Sequence, residues 1–144
     1  MAGPVVIDAN IAIALAFDTP LSAKADALME AWQRTRAPLY APLLWEYEVA
    51  TVLRKAVAAG VLASDEATFA LERCWRLGIV SITPSADLHR EALRWAERLG
   101  QRAAYDAQYL ALAERLGAEL YTADRRLAAN SASLVVDWVR GVTP

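Results

Sequence analysis

Acidic side chains occur at four positions where alternating strands and helices could bring them together. Asp8 ends the apolar run PVVID, and Asp124 follows the strand-like run ELYT. Asp106 lies in the first turn of a predicted helix, and Glu48 borders the apolar stripe of another. Carboxylates about 4 Å apart repel each other by roughly 4 kcal/mol per pair at an effective dielectric constant near 20. A cluster of this kind must take up protons or bind cations.

The ligand types in such a cluster select the cation. Carboxylate oxygens without nitrogen or sulfur ligands favour Mg²⁺ or Mn²⁺ over zinc. The only histidine, His89, lies on a predicted helix among charged residues, and we interpret it as a surface residue. The sequence therefore predicts a magnesium or manganese site.

Each acid also has an ordinary structural explanation. An Asp at a strand-to-helix junction is a favoured N-cap, and an acidic residue in the first turn complements the helix dipole. Taken one at a time, Asp8, Asp106 and Asp124 could each be explained in this way. Glu48 fits this explanation less well because it borders a buried stripe. Glu46 competes for the role of Glu48, but its position in the first turn is explained by the dipole alone.

The elements that must position these acids alternate along the chain. Predicted strands cover residues 4–8, 39–41, 79–83, 119–122 and 134–137. Predicted helices cover residues 11–17, 22–36, 45–59, 64–77, 86–99 and 104–116, with Ser22 and Ser64 as N-caps and a short helical turn after Asp124. This alternation predicts a parallel sheet with helices on both faces. Functional groups collect beyond the carboxyl ends of the strands in such sheets.

Length and composition narrow the class of protein. A chain of 144 residues predicts a single domain, 1–144, and no apolar run approaches the roughly 20 residues needed to cross a bilayer. With Cys74 alone no internal disulfide can form, and no basic segment precedes the first apolar residues, so we expect a cytoplasmic protein. A formal charge of −2 gives no global basic field, so any contact with nucleic acid must be local.

Four sequence blocks follow one another in a familiar order: VVIDAN, PLLWEYEVATVL, AYDAQYLALAERLG and ELYTADRRL. In these blocks, over residues 5–127, the chain resembles PIN-domain proteins, in particular the VapC-like toxins of bacterial and archaeal toxin–antitoxin pairs. The resemblance implies an α/β fold, a three-layer α/β/α sandwich around a mainly parallel sheet of about five strands.

The resemblance also implies a function and a set of site residues. Members of this family are metal-dependent endoribonucleases that are inhibited by a cognate antitoxin. Their usual products carry a 5′-phosphate and a 3′-hydroxyl. Block by block, the metal-binding and catalytic acids are Asp8, Glu48, Asp106 and Asp124, and the supporting polar residues are Asn10 and Thr122. Thr51 departs from the family pattern, which usually has Asn there, and this departure concerns only the orientation of Glu48.

Charge explains how such a site could cut RNA. Phosphodiester hydrolysis builds negative charge on the phosphoryl oxygens, and Mg²⁺ or Mn²⁺ can stabilise that charge and lower the pKa of a bound water. We expect Asp8, Asp106 and Asp124 to hold the principal ion. Glu48, with Asp106, is expected to place a second ion or orient the attacking water.

Nearby cations should guide the phosphates of RNA into an acidic crevice. We assign this role to Arg102 and Arg125, and we interpret Arg126 as a solvated surface residue. The tryptophans at helical spacing are interpreted as core or interface residues and are not assigned to RNA.

Partners follow from the resemblance and from the apolar excess of the chain, which is 56% hydrophobic. Relatives usually form homodimers and offer a hydrophobic groove to the antitoxin, for which we consider the helices at 22–36 and 45–59. The alternative function is a non-catalytic, metal-binding PIN-like module that acts as a regulatory or structural subunit. A P-loop and a G-x-S-x-G elbow are both missing from the sequence, which excludes those enzyme classes.

Overall fold

Five short strands form one sheet in the computed structural model, which describes residues 2–144. The strands are β1 Val5–Ile7, β2 Leu39–Pro42, β3 Ile79–Ile82, β4 Glu119–Thr122 and β5 Val139–Gly141. Their order is β3-β2-β1-β4-β5, and every neighbouring pair is parallel. The carboxyl ends of all the strands therefore meet at one edge, with β1 in the middle.

Seven helices connect the strands within residues 2–144. They are α1 Ala9–Ala16, α2 Ser22–Thr35, α3 Leu44–Ala58, α4 Ser64–Trp75, α5 Ala86–Leu99, α6 Tyr105–Leu116 and α7 Arg125–Ser133. None of these helices is both long enough and apolar enough to cross a membrane.

Helices cover both faces of the sheet, as predicted. Val6 belongs to a large core cluster with buried residues of α3, α4, α5 and α6, whereas its neighbours Val5 and Ile7 belong to a second cluster with α2. Successive side chains of a strand point to opposite faces, so β1 is buried on both sides. The result is the predicted three-layer sandwich around a parallel sheet.

Helix boundaries agree with the sequence in most places, with two differences at the predicted caps. Ser22 and Ser64 are the first residues of α2 and α4, and not the N-caps that we predicted. The Ser22 hydroxyl instead donates to the backbone oxygen of Ala14 at 2.6 Å, which ties α2 to α1. Gly100 and Gly117 end α5 and α6 in the left-handed conformation that glycine adopts without steric cost.

The predicted last strand is wrong in position. The apolar residues 134–136 form the turn that leaves α7, with Val135 at φ 60° and 91% exposed, and the strand follows at Val139–Gly141. The helix after Asp124 is also longer than the single turn predicted, at nine residues. The backbone amides of Leu134 and Val136 both donate to the oxygen of Ser131, so this segment continues the helix end and does not begin a strand.

Candidate active site

The carboxyl ends of β1 and β4 bring Asp8 against Thr122. The two strands pair in parallel with Ile7 opposite Tyr121, and the Asp8 backbone N–H donates to the Tyr121 oxygen at 3.0 Å. The Thr122 hydroxyl donates to Asp8 Oδ2 at 2.7 Å and accepts the backbone N–H of Asp124 at 3.0 Å. One buried hydroxyl thus joins two of the acids.

Asn10 also connects the same two strand ends. Its Nδ2 donates to Asp8 Oδ2 at 3.4 Å, and its Oδ1 accepts the backbone N–H of Ala123 at 3.1 Å. Asn10 and Thr122, the two polar residues to which supporting roles were assigned, therefore both contact Asp8.

Asp8 is a buried carboxyl surrounded by negative charge. Its pKa is raised from 3.8 to about 7, mainly by burial and also by the charges of Glu48 and Asp106, while the Thr122 hydrogen bond opposes the shift. Asp8 occupies the cap position of α1 but makes no side-chain cap bond, since its carboxylate is turned to Thr122 and Asn10. The capping explanation of Asp8 is therefore wrong.

Glu48 reaches the same region from α3. Tyr109, 1% exposed on α6, donates its hydroxyl to Glu48 Oε1 at 2.7 Å. Burial raises the pKa of Glu48, the charge of Asp106 raises it further, and the Tyr109 hydrogen bond lowers it. The competing Glu46 accepts the hydroxyl of Ser81 at 3.0 Å and has no part in this cluster.

Asp106 and Asp124 lie close enough for their negative charges to repel each other. Burial raises the pKa of Asp106, and the charge of Asp124 raises it further. A hydrogen bond from Gln101 Nε2 at 3.3 Å and the positive charge of Arg126 lower that pKa. The acids that follow β1, lie on α3 and α6 and cap α7 thus bring their negative charges close together.

Asp124 combines the two roles considered for it. Its Oδ1 accepts the backbone N–H groups of Arg126 and Leu127 at 2.9 and 3.0 Å, so it caps α7. It also lines an open cleft of about 520 Å³ together with Asp106. Capping by one oxygen does not exclude a second role for the carboxylate in the cleft.

Positive charge lines the same cleft beside the acids. Arg102 and Arg126 are among the lining residues, and Arg125 is not. The sequence analysis assigned phosphate contacts to Arg102 and Arg125. Of these two only Arg102 lines the cleft, and Arg126, which was interpreted as a surface residue, lines it as well. The first turn of α7 directs Arg126 into the cleft, which sequence order alone does not reveal.

Comparison with known proteins decides the family. A sequence profile described as the PIN domain matches residues 5–132. The chain belongs to the PIN-domain family. Among curated proteins, this PIN domain is 34% identical to ribonuclease VapC3 of Pyrobaculum aerophilum over 131 residues, which cover 90% of this chain and 96% of the relative.

Solved structures support the same fold. A crystal structure of the Pyrobaculum aerophilum protein PAE2754 superposes with a TM-score of 0.66 at 30% identity, covering 90% of this PIN domain and 81% of that chain. A toxin–antitoxin complex from Klebsiella pneumoniae superposes with a TM-score of 0.63 at 21% identity, covering 94% and 95%. At that identity the second likeness concerns the fold alone.

The donor set of this PIN domain fits a hard divalent cation in its chemistry. The cluster offers carboxylate oxygens, as Mg²⁺ and Mn²⁺ prefer. Within residues 2–144, however, no three His, Cys, Asp or Glu side chains are grouped so that they could hold one ion together. Mg²⁺ usually keeps several waters and binds one or two carboxylates plus substrate phosphates, and this more open arrangement suits that mode of binding.

Two residues of the cluster were missed by the sequence analysis. Tyr109 lies three residues after Asp106 on α6, so a polar hydroxyl one helical turn from an acid was an available signal. Gln101 lies in the loop before α6, and no sequence pattern indicates its bond to Asp106. The Gln101 Oε1 atom is buried and has no hydrogen-bond partner within residues 2–144.

Four of the five tryptophans are buried or pack against the core, as the sequence predicted, whereas Trp75 is half exposed. Trp32, Trp45 and Trp95 are 6%, 2% and 3% exposed, and Trp75 stacks on Trp45 with ring centroids 5.2 Å apart. Trp138 packs against the main core cluster with its ring edge-on to Trp95. None of them lines the cleft.

Proposed function

We propose that this PIN domain is an endoribonuclease toxin that hydrolyses RNA phosphodiester bonds with Mg²⁺ or Mn²⁺ and is inhibited by a cognate antitoxin. The observation that carries the proposal is the gathering of Asp8, Glu48 and Asp106 at the carboxyl edge of the sheet, where burial first and then the charges of the other two acids raise the pKa of Asp8 to about 7. Uncompensated repulsion of this kind suits a site completed by a cation. The 34% identity to a ribonuclease supports the same conclusion.

Each residue of the site has a proposed role. Asp8, Asp106 and Asp124 would surround the principal ion, one or two of them binding it directly and the rest through its waters, with Asn10 and Thr122 fixing Asp8. When bound, the ion stabilises charge on the phosphoryl oxygens and lowers the pKa of a bound water. Glu48, held by Tyr109, would orient the attacking water. The proposed location is the cytoplasm, where the RNA substrate occurs. A chain with Cys74 as its only cysteine needs no oxidising compartment.

Metal dependence is the direct test of the proposal. The purified chain should cut single-stranded RNA in the presence of Mg²⁺ or Mn²⁺. Cleavage should stop in excess chelator and resume when either ion is restored. The new ends should carry a 5′-phosphate and a 3′-hydroxyl. The alternative, a non-catalytic PIN-like module, predicts binding of metal without any cleavage, so the absence of new ends in both ions would favour it.

Removing the hydroxyl of Tyr109 should weaken the site without unfolding the protein. We expect Tyr109→Phe to lower cleavage about 10- to 100-fold, the usual effect of a residue that orients a metal-site ligand. The Tyr109 hydrogen bond lowers the pKa of Glu48, so its loss should raise that pKa. The acidic limb of the pH–rate profile should then move to higher pH. The matched control is Tyr121→Phe, which removes a hydroxyl bonded at 2.9 Å to Glu119, outside the site. Equal effects of the two variants would contradict the assignment.

Substitution of the two arginines that line the cleft should weaken RNA binding more than substitution of Arg125. We propose that Arg102 and Arg126, which line the cleft, contact phosphates, and that Arg125 contributes less. Arg126→Ala should raise KM several-fold and reduce the salt dependence of binding by about one counterion, because one phosphate contact is lost. Arg125→Ala is the control one residue away. An equal loss from both would show that only general surface charge matters.

An apolar groove offers a place for the antitoxin. It lies between α3 and α4, with a volume of about 250 Å³, and its lining includes Leu53, Val57 and Leu71. The sequence analysis considered α2 and α3, and α2 supplies no lining residue. We place the antitoxin segment between α3 and α4, and Val57→Glu should then abolish inhibition by the antitoxin while RNA cleavage remains.

A homodimer belongs to the same proposal. Large apolar side chains remain exposed in the single chain, including Trp75 at 50% and Val80 at 52%, and a second subunit could cover them. We expect the chain to have the mass of a dimer in solution. A chain that stays monomeric at high concentration would contradict this part of the proposal.

A further inference from the structure

An apolar pocket lies next to the acidic cleft, and none of the four site acids is among its lining residues. It has a volume of about 230 Å³, and its lining includes Pro42, Tyr47, Pro84 and Tyr105. Pro42 ends β2, and Pro84 follows the end of β3. The pocket is therefore built on the carboxyl ends of β2, which neighbours β1, and of β3, the next strand outward, at the edge of the sheet that carries the acids.

Each tyrosine of the pocket is adjacent in sequence to an acid of the site. Tyr47 precedes Glu48 on α3, and Tyr105 precedes Asp106 on α6. The two acids are half-buried, whereas the tyrosines are 67% and 65% exposed. Tyr105 lines both the apolar pocket and the acidic cleft, so the two cavities adjoin at this ring.

The two cavities differ in charge. The cleft has two arginines and two aspartates in its lining, which suits a phosphate and a cation. The pocket is lined by no Asp, Glu, Lys or Arg, and its polar groups include Gln108 and His89, whose Nε2 and Nδ1 atoms lie 3.0 Å apart. An apolar cavity with exposed aromatic rings and one polar pair suits a flat, neutral ring system.

We infer that this pocket binds a nucleobase of the RNA next to the phosphate held in the cleft, by stacking on Tyr105 and Tyr47. The inference rests on the proposed ribonuclease function. The rings give affinity that tolerates any base, because every base has a π-face. The Gln108–His89 pair can exchange hydrogen bonds with a base edge and so gives the site its preference at one position. The pocket thus makes the enzyme favour single-stranded substrate, whose bases are free to enter it.

Kinetics on a defined oligonucleotide test the inference. The probe is a single-stranded RNA that the wild-type chain cuts at a mapped bond, together with copies that carry one abasic nucleotide at each flanking position. Tyr105→Ala and Tyr47→Ala should each raise KM by roughly tenfold, the scale of one lost stacking contact. Tyr105→Phe keeps the ring and should recover most of the loss. Phe69→Ala is the matched control, since Phe69 is an aromatic residue, 67% exposed, that lies on α4 and does not line the pocket.

The abasic series provides the decisive comparison. One abasic position should slow the wild-type chain by about the same factor as Tyr105→Ala, and the variant should lose nothing further at that position. Equal abasic penalties in the wild type and both alanine variants would overturn the subsite while the ribonuclease function stands. A wild-type chain that cuts no RNA would overturn both. Variants that cut normally but fall from a dimer to a monomer in solution would assign the pocket to a contact between copies and overturn the subsite.

Discussion

Asp8→Asn is expected to reduce metal-dependent RNA cleavage by roughly 100- to 1000-fold. The substitution removes a negative charge from the centre of the cluster, and a metal ion contributes several kcal/mol of charge stabilisation in phosphodiester hydrolysis, where each 1.36 kcal/mol is a factor of about ten in rate. Asn has nearly the same shape, and its amide oxygen can still accept the Thr122 hydroxyl that bonds Asp8 at 2.7 Å. The loss should therefore come from chemistry and not from unfolding.

The measurement is the rate of cleavage of one RNA by wild type and variant, purified in parallel. Asp26→Asn is the matched control, because it makes the same change at an exposed position on α2. Activity that survives in Asp8→Asn at the wild-type level would contradict the assignment and indicate a contaminating nuclease.

The second large effect concerns stability in the absence of metal. The pKa of Asp8 is about 7 in the folded chain, against 3.8 for an ordinary Asp. Between these values the folded state holds a proton that the unfolded state has released, so the free energy of unfolding must fall as the pH rises. The contribution of Asp8 is complete below about pH 4 and lost above about pH 7, and it amounts to about 4 kcal/mol over this range.

Denaturant unfolding in chelator, at a series of pH values, measures this effect. Asp8→Asn cannot ionise, so the difference between wild type and variant isolates Asp8 from groups such as Glu119, whose pKa is lowered by Arg140. The variant should be less pH-dependent and, near pH 8, more stable than the wild type. A difference that does not change between pH 4 and pH 8 would show that Asp8 is not a strained buried carboxyl.

Divalent ions should reverse the loss at high pH. An ion that binds only the folded, ionised site adds free energy of unfolding in proportion to the logarithm of its concentration. Wild type at pH 8 should therefore gain stability from Mg²⁺, and Asp8→Asn should gain much less. This comparison detects the metal site without any measurement of activity.

Local patterns in the sequence were sufficient to predict most of the fold. Apolar runs with β-branched residues, helix-ending glycines such as Gly100 and Gly117, and the alternation of strands with helices predict a parallel sheet covered on both faces, because each signal depends on neighbouring residues. The β5 strand is the exception. Its three residues include Arg140 and Gly141, and only pairing with β4 makes them a strand.

The sequence by itself also determined which acids could meet, since parallel strands must end at one edge and Asp8 and Asp124 follow two of them. The tertiary structure decided which side chains point there. It turned Glu48 toward Tyr109, 61 positions away, while Glu46 bonds Ser81, and it directed Arg126 into the cleft and not Arg125. These choices depend on side-chain direction and on contacts between distant segments, and such contacts exist only once the layers have packed.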